Sequence, residues 1–93
     1  MDRVTIAGKS FDGVLMPTEH SVVIIVRGAR GMLACGYLSV DTANRLGDAL
    51  VLVRGVRSYD DVQQAVVREV SHKARELGVE DGMTGAQALA ILA

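Results

Sequence analysis

Two unbroken apolar runs constrain the fold of this chain more than any other feature of its sequence. They lie in the octapeptides VIIVRGAR, residues 23–30, and LVLVRGVR, residues 50–57, each of which closes with Arg-Gly-x-Arg. Runs of β-branched and aliphatic residues bounded by glycine predict buried strands. Because the runs start 27 residues apart (50 minus 23), they are predicted as two strands of one sheet, separated by a hairpin partner and a short helix.

The remainder of the N-terminal half also predicts strands. Alternating residues within 3–7, the turn signal Gly8-Lys9 and the apolar segment 11–16 predict a β-hairpin. Residues 20–27 contain so many consecutive β-branched residues that a strand covered on both faces is expected. Residues 32–38 are predicted as its antiparallel return.

The C-terminal half carries three helix signals. A short helix over 39–46, started by a polar cap and ending before Gly47, is followed by a strand that contains the second apolar run. Apolar residues spaced by three and four predict one long helix over 58–77. A final helix is predicted over 85–92, opened by a capping box at Thr84.

These elements predict an α+β fold in one domain, residues 1–93. An N-terminal antiparallel or mixed sheet is followed by a short helix, a further strand and C-terminal helices packed on the sheet. Residues 1–38 are β-rich and residues 39–93 are mixed, becoming helical toward the C-terminus. A chain of this size buries only roughly 60 to 65% of its unfolded surface. Since 49% of its residues are hydrophobic, contact with another subunit is expected, and the β-rich region is its expected location.

Charge is distributed unevenly along the chain. The net charge is −1, but residues 27–57 carry five arginines against Asp41 and Asp48 (+3), whereas residues 58–93 carry three basic and six acidic residues (−3). A nucleic-acid-binding protein usually has a strong basic excess and aromatic residues on which bases stack. With two tyrosines, one phenylalanine and no tryptophan, this chain is not expected to bind nucleic acid.

The expected location is the cytoplasm. The longest apolar runs, 22–26 and 49–53, are far shorter than the ~20 residues of a membrane-spanning helix, and the first residues lack the apolar core of a signal peptide. A single cysteine, Cys35, excludes an internal disulfide framework. No membrane contact is expected.

The repeated Arg-Gly endings have a structural and a functional interpretation. In the first, which is favoured, arginines extend from buried strands into solvent and glycine permits the turn. In the second, strands that point the same way bring the arginines together at one rim that binds a phosphate or carboxylate. Asp41 and Asp48 are the acids expected to pair with them if the cluster is structural. The candidate ligand-binding residues are Arg27, Arg30, Arg54 and Arg57.

Cys35 is the candidate catalytic nucleophile, and it precedes the predicted short helix. A nucleophilic thiol needs a base, and only His20 and His72 are available. Pairing around the turn at 28–31 places Ile24 opposite Cys35, so His20 is expected about four residues, or roughly 13 Å, beyond it. The role of a small, buried hydrophobic residue is therefore favoured for Cys35. Neither a cofactor motif nor metal-ligand spacing is present, so no cofactor or metal is expected.

Three stretches carry a resemblance to a known family. The segment GMLACGYLSVDTANRLGDALVLVRGVRSYDDV, the GMTG near the C-terminus and VLMP in the second strand resemble the YunC-like family of small bacterial and archaeal domains of unknown function. The most recognisable features are the central CGYL, residues 35–38, and RGV, residues 54–56. The resemblance implies an α+β fold and tetramer formation through the N-terminal β-region, and it implies no activity.

The sequence therefore supports two hypotheses. The first is a homo-oligomer, expected to be a tetramer, that binds a small anion or a protein partner at an arginine-glycine rim. The second is an enzyme that uses Cys35. The residues expected at the subunit interface are Val4, Ile6, Phe11, Val14 and Leu15.

Overall fold

All residues, 1–93, are described by a computed structural model, in which one six-stranded sheet organises the chain. The strands lie side by side in the order in which they occur in the sequence. Every neighbouring pair is antiparallel except the fourth and fifth strands, which are parallel. The strands are β1 (Asp2–Ile6), β2 (Lys9–Pro17), β3 (Val22–Arg27), β4 (Met32–Ala34), β5 (Leu50–Leu52) and β6 (Glu69–Val70).

Four helices accompany the sheet, and the α+β prediction is confirmed. They are α1 (Val40–Leu46), α2 (Tyr59–Gln64), α3 (His72–Leu77) and α4 (Gly85–Leu92). None of them has the length and apolar character needed to cross a membrane. The parallel pair β4 and β5 is joined through α1, as parallel strands require a crossover connection. The prediction that a hairpin partner and a short helix separate the two apolar runs is thus confirmed.

The N-terminal hairpin is formed as predicted, but its turn lies one residue earlier. Ile6 pairs with Lys9, so Ala7 and Gly8 form the turn rather than Gly8 and Lys9. Both turn residues have positive φ, 51° and 77°. A two-residue turn of this kind matches the twist of the flanking strands.

Helices cover the two faces of the sheet unequally. On the helical face, α2, α3 and α4 bury a cluster of 20 residues, which includes Ile24 of β3 and Val51 of β5. On the second face, α1 covers β4 and β5, where Ala43 packs against Leu50 and Leu52, and Ile25 of β3 is half-buried against this cluster. Consequently β5 is buried on both sides, as its sequence predicts, whereas β3 is fully buried on one side only.

The part of the second face that α1 leaves uncovered is apolar. Val14 pairs with Ile25 and Met16 with Val23 on neighbouring strands. Three of these side chains are half-buried, and Met16 is 56% exposed. We call these four residues the open patch.

The predicted long helix over 58–77 is wrong. It starts as expected at Ser58, whose side chain accepts a hydrogen bond from the amide of Asp61, but α2 ends at Gln64. The end of the valine-rich segment that follows forms a strand of the sheet instead, where Val70 of β6 pairs with Val51 of β5. Tertiary pairing of β-branched residues here outweighs the helical spacing of the apolar positions.

Ser71 starts the next helix and is the one fully buried polar side chain. Its hydroxyl accepts hydrogen bonds from the amides of Leu50 and Ala74 and donates one to the carbonyl of Asp48. It therefore caps α3 and at the same time holds the start of β5. The spacing of the apolar residues predicts position 71 within one long helix. The three hydrogen bonds of Ser71 instead place it at the start of α3.

Candidate functional site

The two Arg-Gly endings lie at opposite ends of the sheet. Because β3 is antiparallel to β4 and β4 is parallel to β5, the two apolar runs point in opposite directions. Arg27 and Arg30 therefore emerge at one end, and Arg54 and Arg57 at the other. The expectation of a single rim of four arginines is corrected: the direction of each strand, set by the crossover through α1, divides the rim into two pairs.

The first arginine of each ending forms an ion pair across to a neighbouring strand. The guanidinium of Arg27 contacts the carboxylate of Asp12 on β2 at 3.0 Å, and that of Arg54 contacts Glu69 on β6. The partners are thus not Asp41 and Asp48, the acids nearby in sequence. Neither Arg30 nor Arg57, the second arginine of each ending, has a carboxylate within ion-pair distance.

The C-terminal ends of the parallel strands β4 and β5 build a pocket of about 390 Å³. Parallel neighbours deliver the segments that follow them to the same edge of a sheet, which is where open α/β sheets bind ligands. Cys35, Gly36 and Tyr37 follow β4, and residues 54–57 follow β5. We call this the motif pocket; its lining residues are Ser21, Val22, Cys35, Gly36, Tyr37, Arg54, Gly55, Val56 and Arg57.

The motif pocket has two arginines and no acidic residue in its wall. The corresponding pocket at the opposite end, of about 370 Å³, is lined by Arg27 and Arg30 but also by Asp48. A carboxylate in the wall opposes an anion there. Of the two pockets, the motif pocket is therefore the one whose lining is suited to a negatively charged ligand.

Cys35 forms part of the floor of the motif pocket and is only 5% exposed. Its Sγ lies 3.5 Å from the backbone nitrogen of Ile24, which donates to it, and its own amide donates to the carbonyl of Ile24. The predicted alignment of Cys35 with Ile24 is confirmed. The thiol is therefore held by the backbone of the adjacent strand.

Neither histidine is placed to activate Cys35. His20 is 88% exposed and its ring lies 3.7 Å from the carboxylate of Glu19. His72 begins α3, which follows β6, and is also exposed. Neither residue lines the motif pocket, so the thiol has no imidazole base beside it.

Tyr37, which the sequence did not single out as a site residue, forms one side of the pocket mouth. Its hydroxyl lies 3.1 Å from that of Thr18, in the turn between β2 and β3. The same Thr18 hydroxyl accepts a hydrogen bond from the amide of Ser21. This turn and Tyr37 brace each other, and the CGYL motif was the available signal for its position.

The residues expected at a subunit interface divide into two groups. Val4, Ile6 and Phe11 are buried in the core of the single chain and have almost no surface left for another subunit. Leu15 is half-buried against the same core, whereas Val14 belongs to the open patch.

The fold and the pocket together define a class: a small α+β protein whose one parallel strand pair delivers a Cys-Gly-Tyr segment and an Arg-Gly-Val-Arg segment to a shared pocket. A family model described as a domain of unknown function, DUF1805, matches residues 34–92. The chain belongs to this family. The match includes both segments after the parallel strands and α1 to α4, and it confirms the resemblance found in the sequence.

Two relatives extend the similarity across most of the chain. The uncharacterized protein YunC of Bacillus subtilis (strain 168) is 29% identical over 90 residues, which cover 92% of this chain and 89% of YunC. A crystal structure of a protein of unknown function, TA1206 from Thermoplasma acidophilum, superposes with a TM-score of 0.92 at 30% identity. That superposition covers 99% of this chain and 90% of TA1206.

Proposed function

We propose that this protein is a self-associating binding module that takes a small anion in the motif pocket. The observation that carries the proposal is the guanidinium of Arg57, which lines a pocket without an acidic wall and has no carboxylate within ion-pair distance. A guanidinium with free donors beside an apolar floor binds a carboxylate or phosphate through paired hydrogen bonds.

The floor of the pocket supports a small ligand. Val22, Val56 and Cys35 are buried and give the pocket an apolar base, while Ser21 and Tyr37 add hydroxyl groups near its mouth. A few polar groups over an apolar base are typical of small-molecule sites. The volume of about 390 Å³ suits a metabolite and is too small for a folded domain.

Self-association is proposed through the open patch. The sequence of β3 favours a strand covered on both faces, yet Val23 and Ile25 are only half-buried in the single chain. A second copy that packs on the open patch would supply the missing cover. A homotetramer, in the reducing environment of the cytoplasm where Cys35 stays a thiol, is the assembly we propose.

The anion is tested by thermal unfolding. Phosphate is expected to raise the midpoint more than sodium chloride at matched ionic strength, since a ligand that binds only the folded state stabilises it. Arg57→Gln should remove the difference, and Arg30→Gln, the same change at the opposite end, should preserve it. A parent that is stabilised by neither phosphate nor a small carboxylate such as butyrate, or an effect that survives Arg57→Gln, overturns the proposal.

Self-association is tested by light scattering at micromolar concentration. The parent is expected above the mass of a 9.9 kDa monomer. Met16→Asp should reduce the mass because it places a charge in the open patch. Leu46→Asp, at a residue that is 70% exposed outside the patch, is the matched control. A monomeric parent contradicts this part of the proposal.

Thiol chemistry at Cys35 is the alternative function, favoured by the position of its sulfur at the pocket floor. Its burial and the absence of a neighbouring imidazole weigh against it. Slow labelling by a thiol reagent in the native protein and fast labelling after denaturation would exclude the enzyme. Rapid native labelling would favour it.

A further inference from the structure

One carboxylate contacts an arginine of the motif pocket. Glu69, on the two-residue edge strand β6, pairs with Leu52 of β5 and contacts the guanidinium of Arg54 two residues beyond it. Glu69 does not line the pocket itself. Its contact occupies the guanidinium of Arg54, whereas Arg57 has no carboxylate within ion-pair distance, so the two arginines of the wall are not equivalent.

We propose that Glu69 sets the charge selectivity of the motif pocket, so that the site takes a singly charged organic carboxylate in preference to a doubly charged phosphate. This inference rests on the proposed function and names its ligand class. Arg54 and Arg57 contribute two positive charges, and Glu69 offsets one of them. One net positive charge remains, on Arg57.

A second carboxylate lies near Arg57 without pairing with its guanidinium. The Asp61 side chain accepts a hydrogen bond from the backbone amide of Arg57 at 3.0 Å, at the start of α2. It is not within ion-pair distance of the guanidinium, but it lies near the same residue. A dianion at the pocket would be drawn by one uncompensated arginine while facing two nearby carboxylates. A monoanion balances the free arginine without excess negative charge.

The geometry of one free guanidinium also favours a carboxylate. A single arginine satisfies both oxygens of a planar carboxylate with two parallel N–H···O bonds. A tetrahedral phosphate has further oxygens, and sites selective for it surround the group with several donors. The body of the ligand would then lie on Val22 and Val56, two buried residues that line the pocket. Short-chain aliphatic monocarboxylates fit this combination.

The test is calorimetric titration with two probes, sodium butyrate and inorganic phosphate, at matched ionic strength and mildly alkaline pH, where phosphate is mainly a dianion. The parent is expected to bind butyrate more tightly than phosphate. Glu69→Gln should release Arg54 and shift the ratio of the two dissociation constants toward phosphate by about tenfold. Glu80→Gln, at an exposed acid without an ion pair, is the control and should leave the ratio unchanged.

A second variant keeps the test decisive if Glu69→Gln does not fold, as judged by circular dichroism. Arg54→Gln leaves Glu69 unopposed, so it should weaken phosphate binding more than butyrate binding. A parent that prefers phosphate, with binding that depends on Arg57, overturns this inference and leaves the proposed function intact. A ratio that neither variant moves overturns it as well. Binding of neither probe overturns the proposed function itself.

Discussion

The ends of β3 and β5 have nearly the same sequence and meet different surroundings. Both strands continue into Arg-Gly-x-Arg, and in both the first arginine pairs with an acid on the adjacent strand. The glycines differ: at Gly28 a Cβ would overlap the backbone carbonyl of Leu92 in α4, whereas Gly55 has open space around it and a φ of +73°. One glycine is required by close packing and the other by backbone conformation.

The residues that follow the two glycines also differ in their surroundings. Ala29 is exposed, but Val56 is buried in the main core at 6% exposure. The second ending is therefore anchored beside the motif pocket, and the first is a surface turn held by α4. In both copies of the repeated pattern the strand ends in a cross-strand ion pair, and the tertiary contacts beyond it decide which residues line the pocket at that end.

The largest expected effect concerns the second face of the two strands. Leu52 is buried beneath α1, so Leu52→Ala should lower the free energy of unfolding by about 3 kcal/mol. Ile25→Ala, at the half-buried position of β3, should cost less in dilute protein, and its cost should increase with protein concentration if a second copy covers it. Urea unfolding at two concentrations measures both. If the two substitutions lowered the free energy of unfolding equally at both protein concentrations, β3 and β5 would not differ in how their second face is covered.

The glycines give the next largest difference. Gly28→Ala should cost about 2 to 3 kcal/mol because the new methyl group has no space beside Leu92. Gly55→Ala should cost about 1 kcal/mol, the penalty for a left-handed backbone.

Asparagine separates the two causes. It tolerates the left-handed region, so Gly55→Asn should be milder than Gly55→Ala, whereas Gly28→Asn should be worse than Gly28→Ala. Chemical denaturation of the four variants provides the comparison. The same order at both positions would mean that the glycines serve one purpose.

Helix ends were predicted correctly from the sequence where capping residues mark them. Thr84 and Gln87 form the expected capping box of α4, and Ser39 and Gly47 bound α1. Each of these signals involves residues only a few positions apart, so it can be recognised without knowledge of the fold.

The direction of β5 relative to β3 could not be predicted from local sequence signals, because it depends on the crossover through α1. The division of the arginine rim and the position of Glu69 beside Arg54 follow from that topology. The hydroxyl of Ser71 likewise acts on Leu50, 21 residues away in sequence. Sequence therefore identified the two segments of the motif pocket but not that they share it.

Alkaline pH should act on the helix that follows the second ending. The hydroxyl of Tyr59 donates a hydrogen bond to Asp2 at 2.7 Å, and partial burial, that hydrogen bond and the negative charge of Asp2 raise the pKa of Tyr59 to about 12. Because the folded state holds this proton more tightly than the unfolded chain, the contribution to stability is complete below the ordinary value of 10.0 and is lost as pH rises toward 12.

Tyr59→Phe should remove that alkaline dependence and cost about 1 kcal/mol near neutral pH. Tyr37→Phe is the control, since the hydroxyl of Tyr37 is hydrogen-bonded to the Thr18 hydroxyl and to no carboxylate. Unfolding followed from pH 9 to pH 12 by circular dichroism, ~3 pH units around the linkage window, gives the measurement. An unchanged profile in Tyr59→Phe would contradict the assignment.

The smallest effects are expected from the cross-strand ion pairs. Both are largely exposed, so Arg27→Gln and Arg54→Gln should each cost less than about 1 kcal/mol in the absence of ligand. The two values should fall further in high salt. A markedly larger loss at Arg54 in ligand-free protein would mean that its pairing with Glu69 is a structural requirement of β6.

The hydroxyl of Ser71 links the exchange of one backbone amide to the opening of a helix. The amide of Leu50 has a side chain as its acceptor, and that side chain also caps α3. When α3 separates from the sheet, the acceptor leaves with it and the Leu50 proton becomes free to exchange with solvent. Leu50 and the first amides of α3 should therefore have the same opening free energy in hydrogen exchange, although one belongs to a strand and the others to a helix.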